Sequence, residues 1–264
     1  MHIEQGYIAK LPHQPWSVLQ TPDILRVYLV ATERYLVMTD AGSQNPPRKI
    51  EAVAFDLDGL MFNTEDVYWK VGSELMRRRG REYTEELSNA IMGRPPQVCF
   101  EKMIEWHSLD DTWEAMAAES EKVFVSMLDE GVDAMPGMLD LLDALERAAI
   151  PKAICTSSSP EVVEAVLSRF DMRPRFEFVL TAADITRGKP HPQIYQKAAR
   201  RFGIDPHNLL VLEDSQTGCT AAAASGAFTV AVPAGLSRQH DFSMADLVAD
   251  TLEDPRIRQV LGLS

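Results

Sequence analysis

"VAFDLDGLMFNTE", residues 53–65, sets two aspartates, Asp56 and Asp58, at the end of a largely apolar run, "IEAVAF", that starts at Ile50. That run has the length and character of a buried strand. Two like charges so close repel each other, and burial penalises each charge further. A chain that places both there needs a counter-charge, and the other strand ends are where to look for one.

After this strand the pattern turns helical. "TEDVYWKVGSELMRRRG", "TEELSNAIMG", "PPQVCFEKMIEWH" and "DDTWEAMAAESEKVFVSMLDEG" fill residues 64–131. Their apolar residues fall three and four apart, as in Val67, Val71 and Leu75. Strands and helices then alternate. "PGMLDLLDALERAAI" is a helix entered through Pro136, and "KAICT" is a strand. "SSSPEVVEAVLSRF" is a helix with Ser158 and Glu161 at capping-box spacing and Pro160 in its first turn. "FEFVLT" is a strand, and "HPQIYQKAARRFG" is a helix closed by Gly203. "NLLVLED", "SQTGCTAAAASG" and "AFTVAV" continue as strand, helix, strand, and "DLVAD" reads as a last edge strand.

Such alternation means parallel crossovers, so the fold class is α/β with a doubly wound parallel sheet. The core domain is expected over residues 50–63 and 132–264, with a helical domain, residues 64–131, inserted after the first strand. Residues 1–49 form an N-terminal extension that ends in "AGSQNPPRK", a stretch of linker composition. Two readings stand for it: an accessory segment, or a non-native leader with Met38 as the natural start.

The formal net charge of −13 excludes no local anion site, but it argues against nucleic acid as a partner. Cys99, Cys155 and Cys219 are scattered and odd in number, which fits a reducing cytoplasm rather than a disulfide or zinc framework. No apolar run approaches the roughly 20 residues that span a membrane, and no signal-peptide pattern opens the chain. The expected localisation is cytoplasmic, and nothing in the sequence demands more than a monomer.

In an open parallel sheet, ligands bind beyond the carboxyl ends of the strands. Those ends carry Asp56 and Asp58 after the first strand, Thr156 and Ser157 after "KAIC", and Lys189 after "FVL". Glu213 and Asp214 follow "LLVL". Four carboxylates in one cleft call for a hard divalent cation, and Mg²⁺ suits a few carboxylates plus a substrate phosphate. A cation on one side and a lysine on the other would also let an anionic nucleophile meet a phosphate. The donor set points to phosphoryl transfer, with a carboxylate as covalent nucleophile. Each piece alone has a plain alternative: an aspartate after a strand is often a helix cap, and a single lysine is usually on the surface.

Taken in order, "FDLDGLMFNTE", "ICTSSS", "RGKPHPQIY" and "LVLEDSQTG" resemble the haloacid dehalogenase (HAD) superfamily. Within it they are similar to the β-phosphoglucomutase and phosphoglycolate phosphatase group. The resemblance covers about residues 50–235. It implies a Rossmann-like core with a helical cap at residues 64–131. It also implies Asp56 as the nucleophile that forms an aspartyl-phosphate, and Asp58 as general acid and then base. Thr156 and Lys189 would hold the phosphate, with the Ser157 backbone N–H as a further donor. Asp56, the Asp58 carbonyl, Asp214 and Glu213 would hold Mg²⁺, Glu213 directly or from behind. Gly59 would leave room for the turn beyond the nucleophile.

The activity implied is a Mg²⁺-dependent phosphatase acting on a small phosphorylated metabolite, a sugar or nucleoside phosphate. The alternative is a phosphomutase of the β-phosphoglucomutase type. Dehalogenase and phosphonatase readings rank lower because those relatives lack the second aspartate. A response-regulator receiver shares Asp, Thr, Lys and Mg²⁺, but in another order and without a helical insertion. Glu65, Trp69, Lys70 and Arg94 are the expected cleft-facing residues of the insertion, with Arg94 on a loop that could reach a substrate anion. The remaining Met and Trp residues there are expected to be mostly core, and His107, His191, His207 and His240, which form no ligand pattern, are expected on the surface.

Overall fold

The computed structural model describes residues 48–91, 94–128 and 131–263. The N-terminal extension and its linker fall almost wholly outside these residues. Six parallel strands form one sheet: β1 (Ala52–Phe55), β2 (Lys152–Cys155), β3 (Phe178–Leu180), β4 (Leu209–Glu213), β5 (Phe228–Ala231) and β6 (Leu247–Val248). Their order is β3-β2-β1-β4-β5-β6. The chain runs outward from the central β1 in both directions, the doubly wound arrangement expected from the sequence. The edge strand expected in "DLVAD" is β6.

Strand β1 is buried throughout, and its two faces differ in size. Val53 and Phe55 join Ile154, Leu210 and Leu212 in one core layer. Ala52 and Ala54 face the other layer with Ala153, Leu209 and Val211. The small residues on that side admit two close helices, α7 (Gln193–Phe202) and α8 (Gln216–Ser225), through Tyr195, Ala198, Ala221 and Ala222. Helices α5 (Met138–Arg147) and α6 (Pro160–Arg169) cover the first layer, with α9 (Pro255–Val260). Gly203, in a left-handed conformation, ends α7 as expected.

Between β1 and α5 the chain forms four helices and no strand among the described residues. They are α1 (Thr64–Arg78), α2 (Glu85–Ile91), α3 (Pro96–His107) and α4 (Trp113–Met127). The longest two are tied together at one end by Arg79. Its guanidinium donates to Asp111 Oδ1 and Glu119 Oε2, both at 2.8 Å. Nearer the sheet, Tyr68 of α1 packs on Phe124 of α4, with ring centroids 4.7 Å apart. No helix among the described residues is long and apolar enough to cross a membrane.

The outgoing and returning chains are clipped together where the helical block begins. Asn63 Oδ1 accepts from the Asp133 N–H at 2.6 Å, and the Met135 N–H donates to the Met61 carbonyl at 2.9 Å. The tail of the opening stretch is therefore a paired neck. Just past it the chain turns at Gly137, whose φ is +82°. A Cβ on Gly137 would lie 2.6 Å from the Glu253 backbone nitrogen and 2.8 Å from the Leu252 carbonyl carbon. Both the conformation and the space exclude a side chain. Gly137→Ala should cost about 1–2 kcal/mol for the left-handed backbone and a further ~1–3 kcal/mol for overpacking. Urea unfolding measures this directly. A change within about 0.5 kcal/mol, the usual surface range, would contradict the assignment.

Candidate active site

The sheet register builds the site. Phe55 pairs with Leu212 on one side and Ile154 on the other, so Asp56, Glu213 and Cys155 leave the sheet side by side. Asp56 is anchored through its backbone N–H to the Leu212 carbonyl at 3.0 Å. Thr156 is anchored likewise to the Leu180 carbonyl at 3.0 Å.

The counter-charge demanded by the opening stretch is Lys189, which is buried. Its ammonium donates to Asp56 Oδ1 at 2.5 Å, Glu213 Oε1 at 2.6 Å and the Cys155 carbonyl at 3.0 Å. That uses all three of its protons. Burial opposes the lysine's charge, but Asp56 and Glu213 outweigh it and hold its pKa above the ordinary value. Burial pushes the Asp56 carboxyl upward, Lys189 pulls it back, and Glu213 and Asp58 push it up again.

Glu213 is fully enclosed and fully bonded. Oε1 also accepts from the Tyr195 hydroxyl at 2.6 Å, and Oε2 accepts from Ser215 Oγ at 3.1 Å and its N–H at 3.4 Å. Ser215 caps α8, accepting from the Gly218 N–H at 3.0 Å, so Glu213 lies at the positive end of that helix. Gly218 makes this seat. A Cβ there would be 1.9 Å from the Glu213 carboxyl carbon. Gly59 does the same for Asp214: it has φ +74°, and a Cβ would stand 2.4 Å from Asp214 Oδ2.

Asp58 sits on the turn beyond β1. Its Oδ2 accepts from Ser158 Oγ at 2.5 Å and Thr156 Oγ1 at 3.3 Å. Its Oδ1 is buried and has no hydrogen-bond partner. Burial raises its pKa, against the pull of the nearby Ser158, Thr64 and Thr156 hydroxyls. The buried Thr64 fixes the turn by accepting from the Gly59 N–H at 3.2 Å.

One carboxylate oxygen from each of Asp56, Glu213 and Asp214 falls within 4.8 Å of the others. This all-oxygen donor set fits a hard divalent cation. The orphaned Asp58 Oδ1 marks a place still short of a donor or a cation. Glu213, with four donors already, serves as the lysine's counter-ion behind the cluster.

Asp56, Asp58, Thr156, Ser157, Lys189 and Asp214 all line one cavity of about 720 Å³, much of whose remaining wall comes from residues 64–124. Arg94 and Trp69 line it too. Lys70 does not, and the Glu65 side chain lies outside the described structure.

One capping residue departs from the sequence reading. Ser158 does not cap α6. Pro160 occupies the first helical position, so the cap is Ser159, which accepts from the Val162 N–H at 3.4 Å. Ser158 is thereby released toward Asp58, and its hydroxyl also lies 3.2 Å from that of Tyr68. Trp69, expected to face the cleft, is 37% exposed and lines the cavity. Thr64, Tyr195 and Gly218 went unsingled in the sequence. Tyr195 reads there as an ordinary core position of an amphipathic helix, while Thr64 and Gly218 sit beside the motifs with no mark of their own.

Residues 53–232 match the sequence profile of the haloacid dehalogenase-like hydrolases. The chain belongs to that family, as the four motifs implied. Within it, the chain is a phosphoric monoester hydrolase, in company with relatives named as phosphatases. It is 32% identical over 215 residues to a probable pseudouridine-5'-phosphatase of Drosophila melanogaster, covering 78% of this chain and 92% of the relative. It is 30% identical over 181 residues to a phosphorylated carbohydrates phosphatase of Thermotoga maritima, covering 67% and 82%. Among solved structures it is similar to CbbY from Rhodobacter sphaeroides in complex with phosphate. That match has a TM-score of 0.70 at 26% identity and covers 78% of this chain and 96% of that one.

The seat under Glu213 gives a direct test. Gly218→Ala forces the carboxylate off Tyr195 and Lys189, leaving buried charge unpaired. The expected loss exceeds about 3 kcal/mol in urea unfolding. A loss below about 1 kcal/mol would show that Glu213 can be seated elsewhere.

Proposed function

We propose that the protein is a Mg²⁺-dependent phosphatase that hydrolyses a small phosphomonoester of the sugar or nucleoside phosphate class through an aspartyl-phosphate. The observation that carries this reading is the pairing of two differently held aspartates on one cavity floor. Asp56 is gripped by Lys189 at 2.5 Å, while Asp58 is gripped by Ser158 and keeps one oxygen unbonded.

Asp56, Asp214 and the Asp58 backbone carbonyl would hold the cation, with Glu213 supporting them from behind Lys189. When bound, Mg²⁺ lowers the repulsion between the carboxylates and an incoming phosphate. Asp56 then attacks phosphorus with a carboxylate oxygen, and the bond from phosphorus to the alcohol oxygen breaks. Asp58, whose pKa is raised by burial, donates the proton to the departing alcohol. In the second half Asp58 takes a proton from water, and the new hydroxide oxygen displaces Asp56 from phosphorus. Thr156, the Ser157 N–H and Lys189 orient the phosphate. Lys189 also neutralises Asp56 between turnovers. Arg94, exposed at the cavity, would contact the substrate's outer part.

With p-nitrophenyl phosphate as substrate, Asp56→Asn should reduce release of phosphate to background while the protein remains folded by circular dichroism. Asp58→Asn should cost about 10²–10⁴-fold in kcat, the range for a lost general acid–base. EDTA should abolish activity and added Mg²⁺ restore it. Full turnover by Asp56→Asn would overturn the mechanism. Isomerisation of a hexose 1-phosphate without net phosphate release would replace the phosphatase with the phosphomutase.

A further inference from the structure

The cavity is far larger than a phosphate needs, and its walls are of two kinds. The loops after the strands contribute the acidic cluster and Ser157, Ser158 and Ser215, with Ser237 nearby in the chain's later loop. The helices α1–α4 contribute chiefly rings and aliphatic chains, among them Tyr68, Trp69, Tyr83, Phe100, Trp113 and Phe124. Polar side chains on that helical side stand between the rings rather than in a cluster. Tyr68 and Ser88 are already engaged, with Ser158 and with Tyr83 respectively. Thr64, Asp66, Arg94, Ser120 and Glu121 complete the set, apart from the phenols and Cys99.

The aromatic side is a built surface. Trp69 and Tyr83 meet edge-on, with centroids 5.1 Å apart and planes at 64°. Tyr83 packs closely against α1 because Gly72 leaves the space. A Cβ at Gly72 would be 2.7 Å from the Tyr83 ring. Trp69 keeps 37% of its surface exposed beside the cavity. Exposure of so large a ring gains nothing for folding, since hydrophobic stabilisation needs burial. A substrate made only of hydroxyls would leave polar groups unpaired against these walls, which is costly. A flat ring would instead stack on them.

We propose that the leaving group is a nucleoside, with its sugar near the strand-end serines and its heteroaromatic base stacked among Trp69 and the neighbouring rings. This inference rests on the phosphatase reading above. It makes Trp69 a determinant of specificity through contact with the base.

The test compares substrates that differ only by the base. Adenosine and uridine 5'-monophosphates should each be hydrolysed with kcat/KM about tenfold or more above ribose 5-phosphate, the scale of one base–aromatic stack. Trp69→Ala should lower that ratio about fivefold or more, and Trp69→Phe, which keeps a ring, should retain most of it. Calorimetric binding of the same three compounds to Asp56→Asn protein, with Mg²⁺ present, reads the preference without turnover. Ribose 5-phosphate matching both nucleotides in turnover and in binding would overturn the inference and leave the phosphatase standing. If none of the three is hydrolysed, the phosphatase reading loses support, while the order of binding still decides the ring preference.

Discussion

The site depends on one buried ammonium. Three carboxylates within 4.8 Å of each other, all enclosed, would not remain charged together without a cation among them. Lys189 supplies it, divides its protons between Asp56, Glu213 and a strand carbonyl, and is itself held charged by that company. A buried ion pair is a poor source of net stability, because desolvation consumes most of the attraction. What it gives here is position. Asp56 cannot swing away from the cavity floor without leaving a charge unpaired.

The rest of the core serves that arrangement through shape. Glu213 holds the lysine from below, and it fits only because Gly218 opens the first turn of α8. Asp214 fits only because Gly59 turns left-handed beside it. Thr64, the first residue of α1, then pins the Gly59 N–H. The nucleophile turn, the acidic cluster and the first helix of the insertion thus share one set of contacts. The neck at Asn63 and Asp133 is the only short paired segment among the described residues that joins the two runs of chain between sheet and helices. Tyr68 adds a contact across the cavity to the serine that holds Asp58. Helix α1 is thus in contact with both the turn of Asp58 and the serine that holds it.

How much of this the sequence revealed follows from how local each cause is. The strands were legible because β1 and β4 are buried on both faces and read as unbroken apolar runs. The convergence of Asp56, Thr156, Lys189 and Asp214 was legible because parallel strands deliver their ends to one edge. The division of labour between Ser158 and Ser159 was not, since three consecutive serines offer equal caps and Pro160 alone fixes the register. The support of Glu213 by Tyr195 was also hidden, because the same spacing marks any buried face of α7. Tyr83 was hidden for the same reason, whereas Trp69 was expected at the cleft. A residue that faces a cavity and one that faces a core obey the same helical period. The acidic cluster announced itself by its electrostatic cost, whereas the aromatic walls had no such cost to betray them.

The central claim is that Asp56, and not a water molecule, is the first group to bond phosphorus. The most direct measurement is the mass of the peptide containing Asp56, from protein mixed with substrate and quenched in acid within the first turnovers. The account expects that peptide, and no other, to carry one added phosphoryl group, and expects the group to be absent in Asp58-intact protein quenched before substrate is added. An unmodified Asp56 peptide while phosphate accumulates would contradict it.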